Sequence, residues 1–403
     1  MTALPTSRLF APQATRTAYS FVIAVMFFGL LSAPLFGLLQ GGADDAIREN
    51  ENRNPAKFPT VELRQKGPIL WPSKKSLSLF PRSFERWFND HRGFRQPLLG
   101  LYNLARSEGL VSESLGQMVT GEADRVPVII GREGWLYCTS DRLVDEYRGT
   151  HPFTQDGLDR WKNVLLARKK WLAERGISYI VVFAPNKNAI YPEYMPRAIH
   201  RVTDTCRLDQ LKSHLQDTDL DVIDLRAAVT AMKSRARTYH RTDTHWNEVG
   251  AFAGYQEVMQ AVSRHLPGED SWTLEDFEIQ TEMVGNKDLA RMLQSPEPYI
   301  EEDIRLVPLR QRHANCEMLE GDPKSVKSTN PSADRPNIVV VHDSFMTAMA
   351  PFLNEHFEAV QYEWQSDFPK DVIERERPAL VIHEYVQRRL MSHQPEPGVP
   401  TAE

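Results

Sequence analysis

Cysteine is scarce in this 403-residue chain: three residues, Cys138, Cys206 and Cys316. None lies close to another, which excludes the paired thiolates of a structural zinc site. In an oxidising compartment one disulfide could close and leave one thiol over, and the spacing does not choose the pair. An excess of positive charge is also lacking. Lys and Arg number 48 against 54 Asp and Glu, a formal net charge of −6, which argues against a nucleic-acid surface. There is no block of like charge and no internal repeat.

Long apolar runs are missing with one exception, residues 18–39, "AYSFVIAVMFFGLLSAPLFGLL", 22 residues without a charge. That length crosses a bilayer core. Arg8 and Arg16 precede it and Asp44 and Asp45 follow it, so the positive-inside bias keeps the N-terminus in the cytoplasm and sends the remaining chain outward. Gly41, Gly42 and Ala43 offer a peptidase small residues, but the run exceeds an ordinary signal core. The expectation is an uncleaved anchor. Residues 1–17 then form a cytoplasmic tail, 18–39 the transmembrane helix, 40–124 an exported stalk with a helical segment, 125–392 the main domain and 393–403 a disordered tail.

Residues 40–76 are polar and proline-rich and read as the stalk. In the following stretch Phe84, Trp87, Phe88, Leu98, Leu101 and Leu104 suggest two short amphipathic helices split near Gly93. From about Arg125 strands and helices alternate. "VPVIIGREGWLYC" reads as strand, turn and strand, and 155–175 has helical spacing with Gly176 at the C-terminal cap. "ISYIVVFAP", "DVIDL", "NIVVV" and "ALVIHEYV" are buried strands. The fold class is therefore α/β, a mostly parallel, flavodoxin-like sheet with helices on both faces. Residues 268–335 interrupt the alternation as an insertion, lid or partner surface. In such a sheet, chemistry belongs beyond the carboxyl ends of the strands.

Two of those ends stand out. The strand 338–341 runs into "HDSF" and then a helical pattern, which puts Ser344 on a strand-to-helix turn near free N–H groups. Capping of that helix by Ser344 or by Asp343 is the structural alternative. A nucleophilic serine needs a base and an orienting acid, and "YHRTDTHWNEVGAF" (239–252) offers Asp243 and His245 two residues apart. Asn247 is placed to cap the next helix. A metal could use the same Asp243 and His245 with His240, and His342 or His383 at other strand ends. Asn186 and Lys187 follow another strand and are candidates for an oxyanion or a sugar. Glu384, Arg388 and Arg389 lie at the last strand, where surface ion pairing is the default reading.

Taken together, "ENRNPAKFP", "FERWFNDHRGFR", "GREGWLYC", "PNKNAIYPEYMP", "TDTHWNEVGA" and "HDSF" resemble the AlgJ/AlgX-like alginate O-acetyltransferases and their DHHW-type relatives, which carry an SGNH-hydrolase-like domain. The resemblance spans roughly residues 49 to 390. It implies Ser344 as nucleophile, His245 as base and Asp243 as its partner, with no metal and no cofactor. It also implies periplasmic acetylation of an exopolysaccharide, with acetyl groups supplied by a membrane-bound O-acyltransferase at the inner membrane. Candidate substrate or oxyanion contacts are Asn186, Lys187, Trp246 and Arg388, the last within a Gln387-Arg388 pair where relatives have Glu-Arg. Esterase, non-catalytic scaffold and metalloenzyme readings compete with transfer.

Overall fold

The computed structural model describes residues 128–399, apart from 286, 294–298, 319–324 and 365–367, together with short stretches between 56 and 87. The expected anchor at 18–39 and the whole segment 88–127, Gly93 included, lie outside the described residues. The chain divides into two compact units, 1–119 with 291–296, and 120–290 with 297–403. In the first, β1 (Leu63–Lys66) and β2 (Ile69–Pro72) form an antiparallel hairpin. Phe84 and Trp87, both helical in backbone, bring their rings against Phe58, whose ring centroid is 4.8 Å from that of Trp87 and 6.2 Å from that of Phe84.

The second unit begins with a short antiparallel pair, β3 (Val128–Ile130) and β4 (Leu136–Cys138). The helix Gln155–Ala173 follows, its first turn closed by Thr154 Oγ1, which accepts the Gly157 N–H at 3.1 Å. Its run-out is turned by Gly176 at φ +71, a left-handed position where glycine has no Cβ to clash. The chain then enters β5 (Ser178–Ala184) and β6 (Asp221–Asp224). Next come a hairpin of β7 (Phe277–Gly285) and β8 (Ile300–Pro308), and then β9 (Asn315–Met318), β10 (Ser325–Thr329), β11 (Ile338–His342), β12 (Ala359–Trp364) and β13 (Leu380–Val386).

Seven strands form one sheet in the order β6-β5-β13-β11-β12-β10-β9. The first five run parallel, and β10 and β9 add on antiparallel. β11 and β13 are buried along their whole length. That is what unbroken Val/Ile/Leu runs are suited to, because helices cover both faces of a parallel sheet. Alternate residues feed two cores. Ile180, Val182, Val340 and Ile382 face the helices Glu248–His265 and Met346–Leu353. Val181, Phe183, Val339 and Val381 face Gln155–Ala173 and Arg207–Leu215.

The expected mostly parallel sheet is thus mixed at one edge. The segment 268–335, expected as an insertion, lid or partner surface, supplies both antiparallel strands at that edge and the separate β7–β8 hairpin. The C-terminus differs as well. Where a disordered tail was expected from 393, the fully buried Arg168 bonds the carbonyls of Glu396 (2.5 Å) and Pro397 (3.1 Å), and Val399 is buried. A guanidinium with five donors needs acceptors when desolvated, and the tail backbone provides them. The thiols of Cys138, Cys206 and Cys316 are all free.

Candidate active site

The helix Glu248–His265 starts where the sequence indicated, with Asn247 Oδ1 accepting the Gly250 N–H at 3.1 Å. Before it, the chain folds back on itself. Tyr239 and Trp246 form an isolated antiparallel bridge, and His240 N–H donates to the His245 carbonyl at 3.3 Å. This small loop turns His245 toward the end of β11. Beneath it, the buried Trp246 donates its indole N–H to the Phe345 carbonyl at 3.0 Å, tying the histidine loop to the serine turn.

Ser344 lies two residues ahead of the helix Met346–Leu353. Capping does not occupy it. The helix carries no side-chain cap; Asp343 instead braces the turn, its Oδ1 accepting the Phe345 N–H at 3.0 Å and its Oδ2 accepting the Val386 N–H at 2.8 Å. The Ser344 hydroxyl is left 2.7 Å from His245 Nε2. On the other side of the ring, Nδ1 is 2.7 Å from Asp243 Oδ1, which also accepts the His245 backbone N–H at 3.0 Å. Burial opposes the charge on Asp243, but the hydrogen bonds and the charge of His245 prevail and hold its carboxyl well below the usual range. A hydroxyl, an imidazole and an ionised carboxylate in line at these distances can move a proton from oxygen to ring nitrogen.

Carboxylates from 288–303 fasten this loop, and no local pattern marked them. Glu301 of β8 accepts the N–H groups of Arg241 (2.6 Å) and Thr242 (3.0 Å) and the Thr242 hydroxyl (2.6 Å), and it pairs with Arg237 at 3.2 Å. Asp303 pairs with His240 at 3.2 Å and with Lys287 at 3.1 Å. Burial opposes ionisation there too, but these two partners bring the Asp303 pKa down to about 2. Asp288 accepts the Thr244 N–H at 2.7 Å. Burial, reinforced by the charge of Asp243, raises the Asp288 carboxyl above its ordinary value.

The weaker candidates separate. Asn186, Lys187 and Trp246, expected as oxyanion or sugar contacts, are buried and committed to the protein itself. Asn186 donates to Glu146 at 3.3 Å and accepts the Arg388 N–H at 3.2 Å. The Lys187 ammonium bonds the carbonyls of His240 (3.0 Å) and Arg241 (3.1 Å), and desolvation lowers its pKa to about 8. Arg388 does lie against the serine turn, with its guanidinium 5.4 Å from the Phe345 ring centroid and Nε 3.5 Å from Asp141. Glu384, expected in a surface ion pair, is buried and accepts the Asp343 N–H at 3.0 Å. Desolvation, with the charge of Asp343, pushes its carboxyl well above the ordinary value.

The metal alternative loses its third ligand. His240 faces Asp303, His342 Nδ1 bonds the Asp343 carbonyl at 2.7 Å, and His383 is enclosed beside Arg168 and Tyr385. Asp243, His245 and Asp288 do bring candidate ligand atoms within 4.8 Å of one another. Both ring nitrogens of His245 are engaged, one by Asp243 and one by Ser344, so this set serves proton transfer better than a cation.

Residues 128–366 match a family model described as an SGNH hydrolase-like domain, acetyltransferase AlgX. The chain is 30% identical over 131 residues to a probable alginate O-acetylase AlgJ of Pseudomonas aeruginosa, covering 32% of this chain and 31% of that one. It is 27% identical over 140 residues to the probable AlgJ of Pseudomonas putida, 35% of each. The chain thus spans about a third of the length of the curated relatives it matches. Among solved structures, Bacillus cereus PatB1 overlays 66% of this chain and 99% of its own, with a TM-score of 0.46 and 14% identity. The O-acetyltransferase domain of Pseudomonas putida AlgJ overlays 67% and 94%, with a TM-score of 0.43 and 20% identity.

Proposed function

The chain belongs to the family of SGNH hydrolase-like domains described as acetyltransferase AlgX, and from that premise we propose that it is an O-acetyltransferase acting on an exopolysaccharide through an acetyl-Ser344 intermediate. The observation that carries the reading is the pair of 2.7 Å contacts joining Ser344, His245 and Asp243 at the carboxyl edge of the sheet. His245 takes the Ser344 proton as Oγ bonds the acetyl carbon, and returns it to the departing group. It then takes a proton from a sugar hydroxyl whose oxygen bonds the acetyl carbon, the Ser344 Oγ–C bond breaks, and His245 returns that proton to Oγ, so the sugar leaves acetylated and the serine is restored. Asp243 fixes the ring tautomer and supports the transient imidazolium. The Ser344 backbone N–H, at the start of a helix, contributes to the oxyanion site.

The relatives named as alginate O-acetylases support acetyl transfer to a polysaccharide. The 22-residue uncharged run at 18–39, with Arg8 and Arg16 before it, supports an inner-membrane anchor with the domain in the periplasm. A membrane-bound O-acyltransferase is the partner that would bring acetyl groups across. The test is an acetyl-donor assay with and without acceptor oligosaccharide. Transfer to sugar, abolished by Ser344→Ala, supports the reading. Donor hydrolysis indifferent to sugar identifies an esterase instead.

A further inference from the structure

No sequence pattern marks Asp288, yet the fold sets it beside the imidazole. It begins the helix Asp288–Leu293, and its two carboxylate oxygens have different tasks. Oδ1 accepts the N–H groups of Thr244 (2.7 Å) and Leu289 (2.5 Å). Oδ2 lies 4.0 Å from His245 Nδ1. The Asp288 N–H reaches back to Asp243 Oδ2 at 3.5 Å. Oδ1 alone makes the backbone contacts, and Oδ2 is the oxygen turned to the ring. The charged groups around it are Asp243 and His245 on the loop and, from the helix Lys187–Ile190, the Lys187 ammonium held by the carbonyls of His240 and Arg241. None of the hydrogen bonds or ion pairs among the described residues gives Asp288 a lysine or arginine partner.

The geometry points to Asp288 as a second carboxylate serving His245, a positioning residue that fixes the 243–245 turn and adds a second anion beside the imidazolium. This rests on the reading of Ser344, His245 and Asp243 as the acyl-transfer relay. In that step the Ser344 Oγ–H proton passes to Nε2 while the Oγ–C bond forms, and it leaves with the departing group as the bond from that group to the acetyl carbon breaks. The ring is positive only in between, and a second anion about 4 Å away stabilises that state against neutral imidazole.

The test separates this role from the relay itself. In the full chain carrying Ser344→Ala, the His245 ring is titrated by NMR with and without Asp288→Asn, which keeps an oxygen acceptor for Thr244 and removes the charge. Loss of the anion lowers the ring midpoint by about one pH unit; an unmoved midpoint overturns the proposal. Asp288→Ser, a smaller acceptor without charge, gives the same shift if Asp288→Asn does not fold. In protein with Ser344 intact, Asp288→Asn added to Asp243→Ala lowers the residual transfer by a further ~10-fold, since the second carboxylate is then the remaining anion at Nδ1. Equal activity of the single and double variants also overturns it. Undiminished transfer by Ser344→Ala sinks the relay reading instead, and leaves the titration result to be judged separately.

Discussion

The loop 238–247 and the segment 277–308 meet at the same site but carry very different signals. The loop announces itself locally, with Asp and His two apart, Asn at a helix start and Trp between them. The segment holds glutamates and aspartates on a polar hairpin whose first strand is exposed along most of its length, and nothing distinguishes Glu301 or Asp303 from solvated surface charge. Yet these carboxylates bond the backbone that aims His245. Reactive groups can thus be read from short-range chemistry, whereas the groups that hold them in place depend on topology.

That division can be broken by mutation. The largest effect is expected in the loop and its serine partner. Ser344→Ala or His245→Ala lowers acetyl transfer by about 10³-fold or more, with a melting temperature close to wild type. Glu301→Ala reverses the pattern. It strands Arg237 and three loop donors, so it costs about 3–5 kcal/mol of stability, measured by denaturant unfolding, and activity falls because the loop loosens. If Glu301→Ala unfolds no more easily than wild type, the hairpin does not support the loop.

Asp303 sharpens the same contrast through pH. Its folded pKa is down to about 2 against 3.8 for the free side chain, so the unfolded chain binds the proton first on acidification. The stabilisation is complete above the unfolded value and is lost as pH falls through about 2, an amount of ~2 kcal/mol. Unfolding curves of Asp303→Asn and wild type should therefore converge as the pH drops through that window. Trp246→Phe has the smallest effect. It removes the hydrogen bond to the Phe345 carbonyl, costs about 1 kcal/mol and lowers kcat modestly, while KM for the acceptor holds. A selective rise in KM would return Trp246 to a sugar-binding role.

The parallel core was legible because β5, β11 and β13 are unbroken apolar runs, the helix from 155 because of its apolar spacing, and the helix from 248 because Asn247 is an ordinary cap. The sheet's antiparallel edge was not, since β9 and β10 are short and polar, and β10 owes its place to β12 and β9 to β10. At the site, sequence brought forward Ser344, His245 and Asp243, and the fold sets them in hydrogen-bond contact. It missed Asp288, Glu301 and Asp303, which differ from Asp243 in sequence by 45 to 60 positions. Asn186 and Lys187 were misread for a related reason: a strand end shows where a side chain begins, and burial decides whether it meets substrate or backbone. Glu384 illustrates the same limit, a carboxyl that reads as surface charge and is sealed beneath the serine turn.

The central claim is that Ser344 carries the acetyl group. Incubating the full chain with an acetyl donor lacking acceptor sugar, quenching in acid and mapping the peptides by mass spectrometry tests it most directly. The expected result is the added mass of one acetyl group on the peptide containing Ser344, lost when oligosaccharide is supplied and undetectable in His245→Ala. An enzyme that transfers acetyl groups while the Ser344 peptide stays unmodified under every quench would contradict it.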